Sequence, residues 1–271
     1  MTSLVAAGGV AGEVLSSHSG MLGATTVRPV GLLVDAAGIV TLQRCAPYRI
    51  GSPWPAAGVG EDPVTIGVLG TSMNSGKTTA AAALVRGLTA SGLHVVAGKV
   101  TGTGGPGDPG LFVDSGAARV LDFTDFGYSS TYCLSHDEVR GLLAGIRAEL
   151  SSTGPDVIVL EIADGLYQPE TLRLVADPAF GQCIDTVFFA AGESMGAVAG
   201  VAILGRHGIR VAAIGGLLTA SALAIKEAQG ALDVPVLDVG RLSDPDIASS
   251  LLPPRAQPAS LNQVSDDRIA V

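Results

Sequence analysis

Lysine is nearly missing from this chain. Of its 16 basic residues only three are lysines, Lys77, Lys99 and Lys226, so arginine does the generic surface work. Where lysine persists, a compact point charge is specifically wanted, and two of the three lie in the segments discussed below. Basic residues are outnumbered by 25 acidic ones, giving a net charge of −9. No basic stripe interrupts that balance, which argues against nucleic acid as a partner. Cysteine is sparse as well. Cys45, Cys133 and Cys183 stand far apart with no C-x-x-C pair, which excludes a disulfide framework or a zinc signature and suits a reducing cytoplasm. The N-terminus lacks the basic opening of a secretory signal. The most apolar stretch, 186–205, is broken by Glu193 and several glycines. It reads as strand, loop and buried helix rather than a membrane span.

What is present is core-forming. Hydrophobic residues make up 47% of the 271 positions and charged residues 15%, so a large core can be buried. Residues 27–35 and 38–45 read as two strands joined by an Asp-Ala-Ala-Gly turn, and 47–63, rich in Pro and Gly, reads as a linker. This predicts a small β-rich N-terminal region over 1–60 and a main domain over 61–271. From residue 64 the rhythm is strand then helix. Strands are expected at 64–70, 93–100, 156–164, 185–191, 209–218 and 234–240. Helices are expected at 77–92, 135–152, from 191 to about 206, and 222–232. The helix at 135 is announced by a capping box of Ser135 and Glu138. Such alternation predicts an α/β fold with a parallel sheet flanked by helices. The proline-bearing last thirty residues read as a tail.

The strongest signal is GVLGTSMNSGKTTAAAAL, a strand that ends at Gly70 and a helix opened by Gly76-Lys77-Thr78-Thr79. That context suits a phosphate-binding loop. Backbone N–H groups and the helix N-terminus face phosphate oxygens, Lys77 reaches the β- and γ-phosphates, and the Thr78 hydroxyl is placed for Mg²⁺. Thr71, Asn74, Ser75, Gly76, Lys77, Thr78 and Thr79 are the expected nucleotide contacts. The spacing from Gly70 to Gly76 is one residue longer than in the common G-x-x-x-x-G-K-[ST] pattern.

That longer loop, GTSMNSGKTT, resembles the one in the dethiobiotin synthetase-like branch of P-loop proteins, which includes ATP-dependent amidotransferases. VVAGKVTGTGG (95–105) and VLEIADGLYQP (159–169) resemble two further segments of that family in the same order. The resemblance spans roughly 64–240. It implies that Lys99 joins Lys77 as a catalytic residue facing the transferred phosphate, and that Glu161 ligates Mg²⁺, with Asp164 a rival. It also implies a metal-completing role for Asp114, which reads equally as a helix N-cap and has Asp122 and Asp125 as competitors. Ligands of open α/β sheets sit at the carboxyl ends of strands, which fits Lys77, Lys99 and Glu161. Thr101, Thr103 and Gly104, beside Lys99, and Gly165 and Tyr167, after Glu161, are the expected substrate contacts. The Gly192–Met195 turn is a further candidate for an anion, although Glu193 departs from the family there. No Asn/Thr-Lys-x-Asp guanine-reading motif is present, which favours ATP.

These readings lead to an expectation of a Mg·ATP-dependent kinase or ligase. It would phosphorylate or activate a carboxylate, carbamate or hydroxyl of a small-molecule substrate, as a cytoplasmic homodimer with no membrane partner. The alternative is a nucleotide-gated switch, or a metallochaperone-type NTPase, acting on a protein partner.

Overall fold

The structure is a computed structural model that describes residues 1–6, 8–51 and 62–254. Most of the linker read over 47–63, and the tail beyond 254, lie outside those residues.

The N-terminal portion is built of short antiparallel strands. β1 (Thr2–Leu4) lies between β2 (Ala11–Gly12) and β3 (Thr26–Val27), and β4 (Val34–Asp35) and β5 (Gly38–Ile39) form a separate hairpin. The two longer strands expected over 27–45 shrink to that hairpin. Residues 42–45 instead form a helical turn, α1 (Leu42–Cys45), because the Thr41 side chain accepts the Arg44 N–H and caps it. The segment after α1 docks on the main domain. Tyr48 packs against Phe126 with ring centroids 5.4 Å apart, and its hydroxyl accepts a hydrogen bond from Arg119.

The main domain runs β6 (Val64–Gly70), α2 (Lys77–Ala90), β7 (Val95–Thr101), α3 (Gly107–Asp114), β8 (Val120–Asp122), α4 (His136–Ser151), β9 (Val157–Ile162), α5 (Pro169–Ala176), α6 (Phe180–Cys183), β10 (Thr186–Ala190), α7 (Ser194–Arg206), β11 (Val211–Gly215), α8 (Ala222–Ala231), α9 (Val239–Leu242) and α10 (Pro245–Ser250). The six strands form one sheet in the order β11-β10-β6-β9-β7-β8, and every pairing is parallel. Both faces are covered, as a parallel sheet requires. Val64, Ile66 and Val68 point to one side, against the alanine run of α2 with α9 and α10 behind it. Ile158, Leu160 and Ile162 point to the other, against α4 and α5. The small side chains of Ala80–Ala83, all buried, let α2 lie close to the sheet and bring its N-terminus to the loop after β6.

Two expectations about the edges of the sheet change. The segment at 234–240 contributes a single parallel bridge, Val236 to Ile214, before turning into α9. The sixth strand is β8 on the opposite edge, where Leu121 lies beside Gly98.

Candidate functional site

The loop after β6 turns through residues 71–76 before α2 opens. Asn74 (φ 63°) and Gly76 (φ 96°) take left-handed backbone there, a conformation cheap only for glycine and tolerated by asparagine. The Asn74 turn accommodates the extra residue between Gly70 and Gly76. The loop is fixed at both ends. The Thr71 N–H donates to the Ala190 carbonyl at 3.0 Å, and the Ser75 carbonyl accepts the Leu217 N–H at 2.9 Å. Gly76, the N-cap of α2, makes no side-chain capping bond, so the first N–H groups of the helix remain open to an anion.

Lys77 is 5% exposed, and its ammonium donates to the Ser72 carbonyl at 2.8 Å and to the Asp164 carbonyl. Burial draws its pKa below the ordinary lysine value, against the pull of Glu161 and Asp164. The Thr78 hydroxyl donates to Glu161 Oε1 at 3.1 Å. Glu161 is 2% exposed, and its other oxygen, Oε2, has no partner. Burial raises the Glu161 pKa, although Lys99 and Lys77 work the other way. An unpartnered buried carboxylate oxygen beside a threonine hydroxyl is a hard-oxygen donor set that fits Mg²⁺, an ion that usually takes one or two protein oxygens and completes its shell with phosphates and water. Among the described residues, no group of three His, Cys, Asp or Glu side chains is placed to hold a metal ion unaided.

Lys99 lies in register with Glu161 on β9 and Asp122 on β8. Its ammonium is ion-paired with Asp108, in the first turn of α3. Burial acts to lower the Lys99 pKa, but Glu161 and Asp108 outweigh it and the net shift is upward. A cavity of about 770 Å³ runs along the carboxyl edge of the sheet, from Lys99 and Asp108 past Lys77, Thr78 and Thr79 to Asp238.

Sheet order, parallel pairing and a phosphate loop after a central strand decide the architecture. This is the P-loop NTPase fold. No family model matches the chain, and no curated protein does either. Solved structures similar to it include the signal recognition particle receptor FtsY from Elizabethkingia anophelis, at 18% identity and TM-score 0.45, covering 78% of this chain and 69% of that one. The same receptor in complex with GDP matches at 18% identity and TM-score 0.46, covering 78% and 68%. The cell division protein ftsY from Thermotoga maritima matches at 16% and 0.44, covering 78% and 74%.

The expectation of a kinase or ligase working on a small-molecule substrate is corrected. The similar structures are named as a receptor and a cell division protein, one of them in complex with GDP, and none as a kinase or ligase. The dethiobiotin synthetase-like resemblance gains no support from them. The geometry supplies a physical reason. None of the five positions expected to hold a metabolite lines the cavity, and each is either buried in the packing or exposed. The Thr101 hydroxyl donates to the Ala163 carbonyl. Thr103 forms an isolated bridge with Ser130. Gly104 is packed so closely that a Cβ would lie 2.8 Å from Thr124 Cγ2, and at Gly165 a Cβ would lie 2.9 Å from Ser72 Cα. Tyr167 is 74% exposed.

The remaining positions are equally specific. Asp114 is the last residue of α3, exposed, and not a helix opener. Asp122 and Asp125 form a capping box, Asp122 Oδ1 accepting from Thr124 N–H and Asp125 Oδ2 from Asp122 N–H, at 2.7 and 2.9 Å. The Gly192–Met195 turn is closed by its own carboxylate, since Glu193 accepts from the Met195 and Gly196 N–H groups. Sequence reasoning missed Asp108, Leu217, Thr219 and Asp238, all of which line the cavity. Among the described residues, no helix is long and apolar enough to cross a membrane.

Proposed function

We propose that this chain is a nucleotide-gated switch. It binds a nucleoside triphosphate with Mg²⁺ at the phosphate loop, and its nucleotide state sets its affinity for a protein partner. The observation that carries the reading is the Lys99–Asp108 ion pair, which ties α3 to the floor of the cavity. Lys77 hands its two backbone carbonyl contacts over to phosphate oxygens when the nucleotide binds. Lys99, on the next strand but one, meets the same negative charge. A γ-phosphate competes with Asp108 for Lys99 and repels the Asp108 carboxylate, so α3 is released in the triphosphate state and recaptured in the diphosphate state. The outer surface of α3 carries Leu111 and Val113, 37% and 57% exposed, as apolar surface that moves with it. Thr78 and Glu161 would hold Mg²⁺, which supplies charge neutralisation at the phosphates.

Hydrogen exchange on the full chain tests the reading. With Mg²⁺ and a non-hydrolysable triphosphate, exchange over 105–114 rises above that of the diphosphate complex, and Asp108→Asn raises it without nucleotide. Equal protection in the two nucleotide states would sink the gating role. Turnover that requires an added metabolite would sink it too.

A further inference from the structure

The cavity extends well beyond the phosphate loop, and its far end has a chemistry of its own. Counting outward from β6, which carries the loop, come β10, β11 and then the Val236 bridge, three intervals or roughly 14 Å at about 4.8 Å each. At that end the wall is formed by Leu237, Asp238 and Val239, and Leu217, whose N–H is bonded to the Ser75 carbonyl, stands between them and the phosphate loop. Leu217 and Val239 are large apolar side chains left 59% and 45% exposed, although both line a concavity. A flat ring inserted between them removes that surface from water. Among the described residues, Asp238 is the only carboxylate lining this end, since the cavity's other two, Asp108 and Asp164, stand at the lysine end. Its Oδ1 caps α9 by accepting the Arg241 N–H at 2.8 Å, and its Oδ2 has no hydrogen-bond partner among the described residues.

We propose that Asp238 reads the base of the bound nucleotide and selects guanine over adenine. The inference rests on the phosphate loop binding a nucleotide, as proposed above. An ionised carboxylate only accepts hydrogen bonds. Guanine offers two adjacent donors on its pairing edge, N1–H and the 2-amino group, and Oδ2 with the second lone pair of Oδ1 can accept both. Adenine offers one donor there, next to the N1 lone pair, which the carboxylate repels. Charge-assisted bonds of this kind favour guanine by about 10- to 100-fold. The selection comes from a residue outside any guanine-reading sequence motif, supplied by the turn between the Val236 bridge and α9.

The test is direct binding to the full-length chain with Mg²⁺, using GDP, ADP and xanthosine diphosphate, for the wild type, Asp238→Asn and Lys77→Ala. Asparagine is as good an N-cap as aspartate, so α9 and the fold are retained, and a thermal melt checks this. Wild type is expected to bind GDP at least about tenfold more tightly than ADP. Asp238→Asn loses that preference and gains affinity for xanthosine diphosphate. Its amide donates to the 2-carbonyl of xanthine, and its own carbonyl accepts from N1–H. Equal binding of GDP and ADP by the wild type, abolished by Lys77→Ala, overturns the base assignment while the phosphate loop stands. An unchanged GDP-to-ADP ratio in Asp238→Asn overturns it as well. Binding of neither nucleotide overturns both readings.

Discussion

Gly87 lies toward the C-terminal end of α2, where that helix meets α10 and α9, the latter lining the far end of the cavity. A Cβ at this position would lie 2.7 Å from Ala248 Cβ on α10 and would press on the Leu242 carbonyl oxygen of α9. Neither neighbour is the tip of a flexible side chain, so the helices themselves must move. Gly87→Ala therefore sets two effects against each other. Helix propensity favours alanine by about 1 kcal/mol. Overpacking a well-filled interface costs about 1–3 kcal/mol. The steric term wins, and the expected net loss is about 0.5–2 kcal/mol, a fall in Tm of roughly 2–6 °C for a domain of this size. Gly205, near the end of α7, has nothing within 4 Å of where its Cβ would be. Gly205→Ala thus collects only the propensity gain, a few tenths to about 1 kcal/mol, and its Tm rises. The two variants should also separate in function. Moving α9 displaces Val239 and Leu242 from the cavity wall, so Gly87→Ala weakens nucleotide binding several-fold and Gly205→Ala leaves it unchanged. Paired thermal melts and nucleotide titrations read both. If Gly87→Ala is as stable as the wild type and binds equally well, the packing described between α2, α9 and α10 is wrong.

The remaining expectations concern separate parts of the molecule. Glu161→Ala should leave nucleotide binding in EDTA intact and remove the gain produced by Mg²⁺, read by titration with and without the metal; a full Mg²⁺ response in the variant would remove Glu161 from the metal site. The Asp177 carboxyl is held below the ordinary aspartate value of 3.8 by the Ala179 N–H, with His136 and Arg140 adding to it. A depressed pKa contributes stability that is present above the unfolded value and lost as pH falls through the folded one. Asp177→Asn should therefore cost about 0.5 kcal/mol at neutral pH in urea melts, with the difference vanishing below the aspartate range; a pH-independent difference contradicts this. Burial pushes the Cys183 thiol up to about 11, while Cys45 and Cys133 are exposed. At about pH 8 a thiol reagent should label those two in the folded chain and Cys183 only after unfolding. Three fast thiols would show that the α6 region is open.

The sequence was most legible where one local rule decides the outcome. The apolar run 64–70 is β6 residue for residue, and the Ser135–Glu138 capping box opens α4 where it was read. The candidate residues read at or just after strand ends, Lys77, Lys99 and Glu161, come to the same edge of the sheet, because parallel topology alone brings them there. What escaped reading depends on distant partners. β8 is three residues long, and its only justification is pairing with β7. Asp108 sits in a stretch of glycine and proline that reads as loop, and it acquires a role only because Lys99 lies opposite. Asp114 was expected to open a helix, but α3 begins seven residues earlier and Asp114 ends it. Asp238 belonged to an expected strand, and only the early turn into α9 brings its carboxylate to the cavity. The chemistry inferred for the metabolite failed for a related reason. Its contacts lie close in sequence to Lys99 and Glu161, but Thr101, Gly104 and Gly165 are buried in the packing and Thr103 and Tyr167 are exposed.

The central claim is that the loop from Gly70 to Thr78 holds a nucleotide through Lys77. The most direct measurement is the thermal unfolding of wild type and Lys77→Ala with Mg²⁺, each with and without GDP or ADP at a hundredfold excess over the dissociation constant measured for the wild type. Binding at that excess stabilises the folded state by about 2.7 kcal/mol, a rise of roughly 5–10 °C here. The account predicts that rise in the wild type and none in Lys77→Ala. A wild type whose melting point no nucleotide moves, or a Lys77→Ala variant stabilised as much as the wild type, would contradict it.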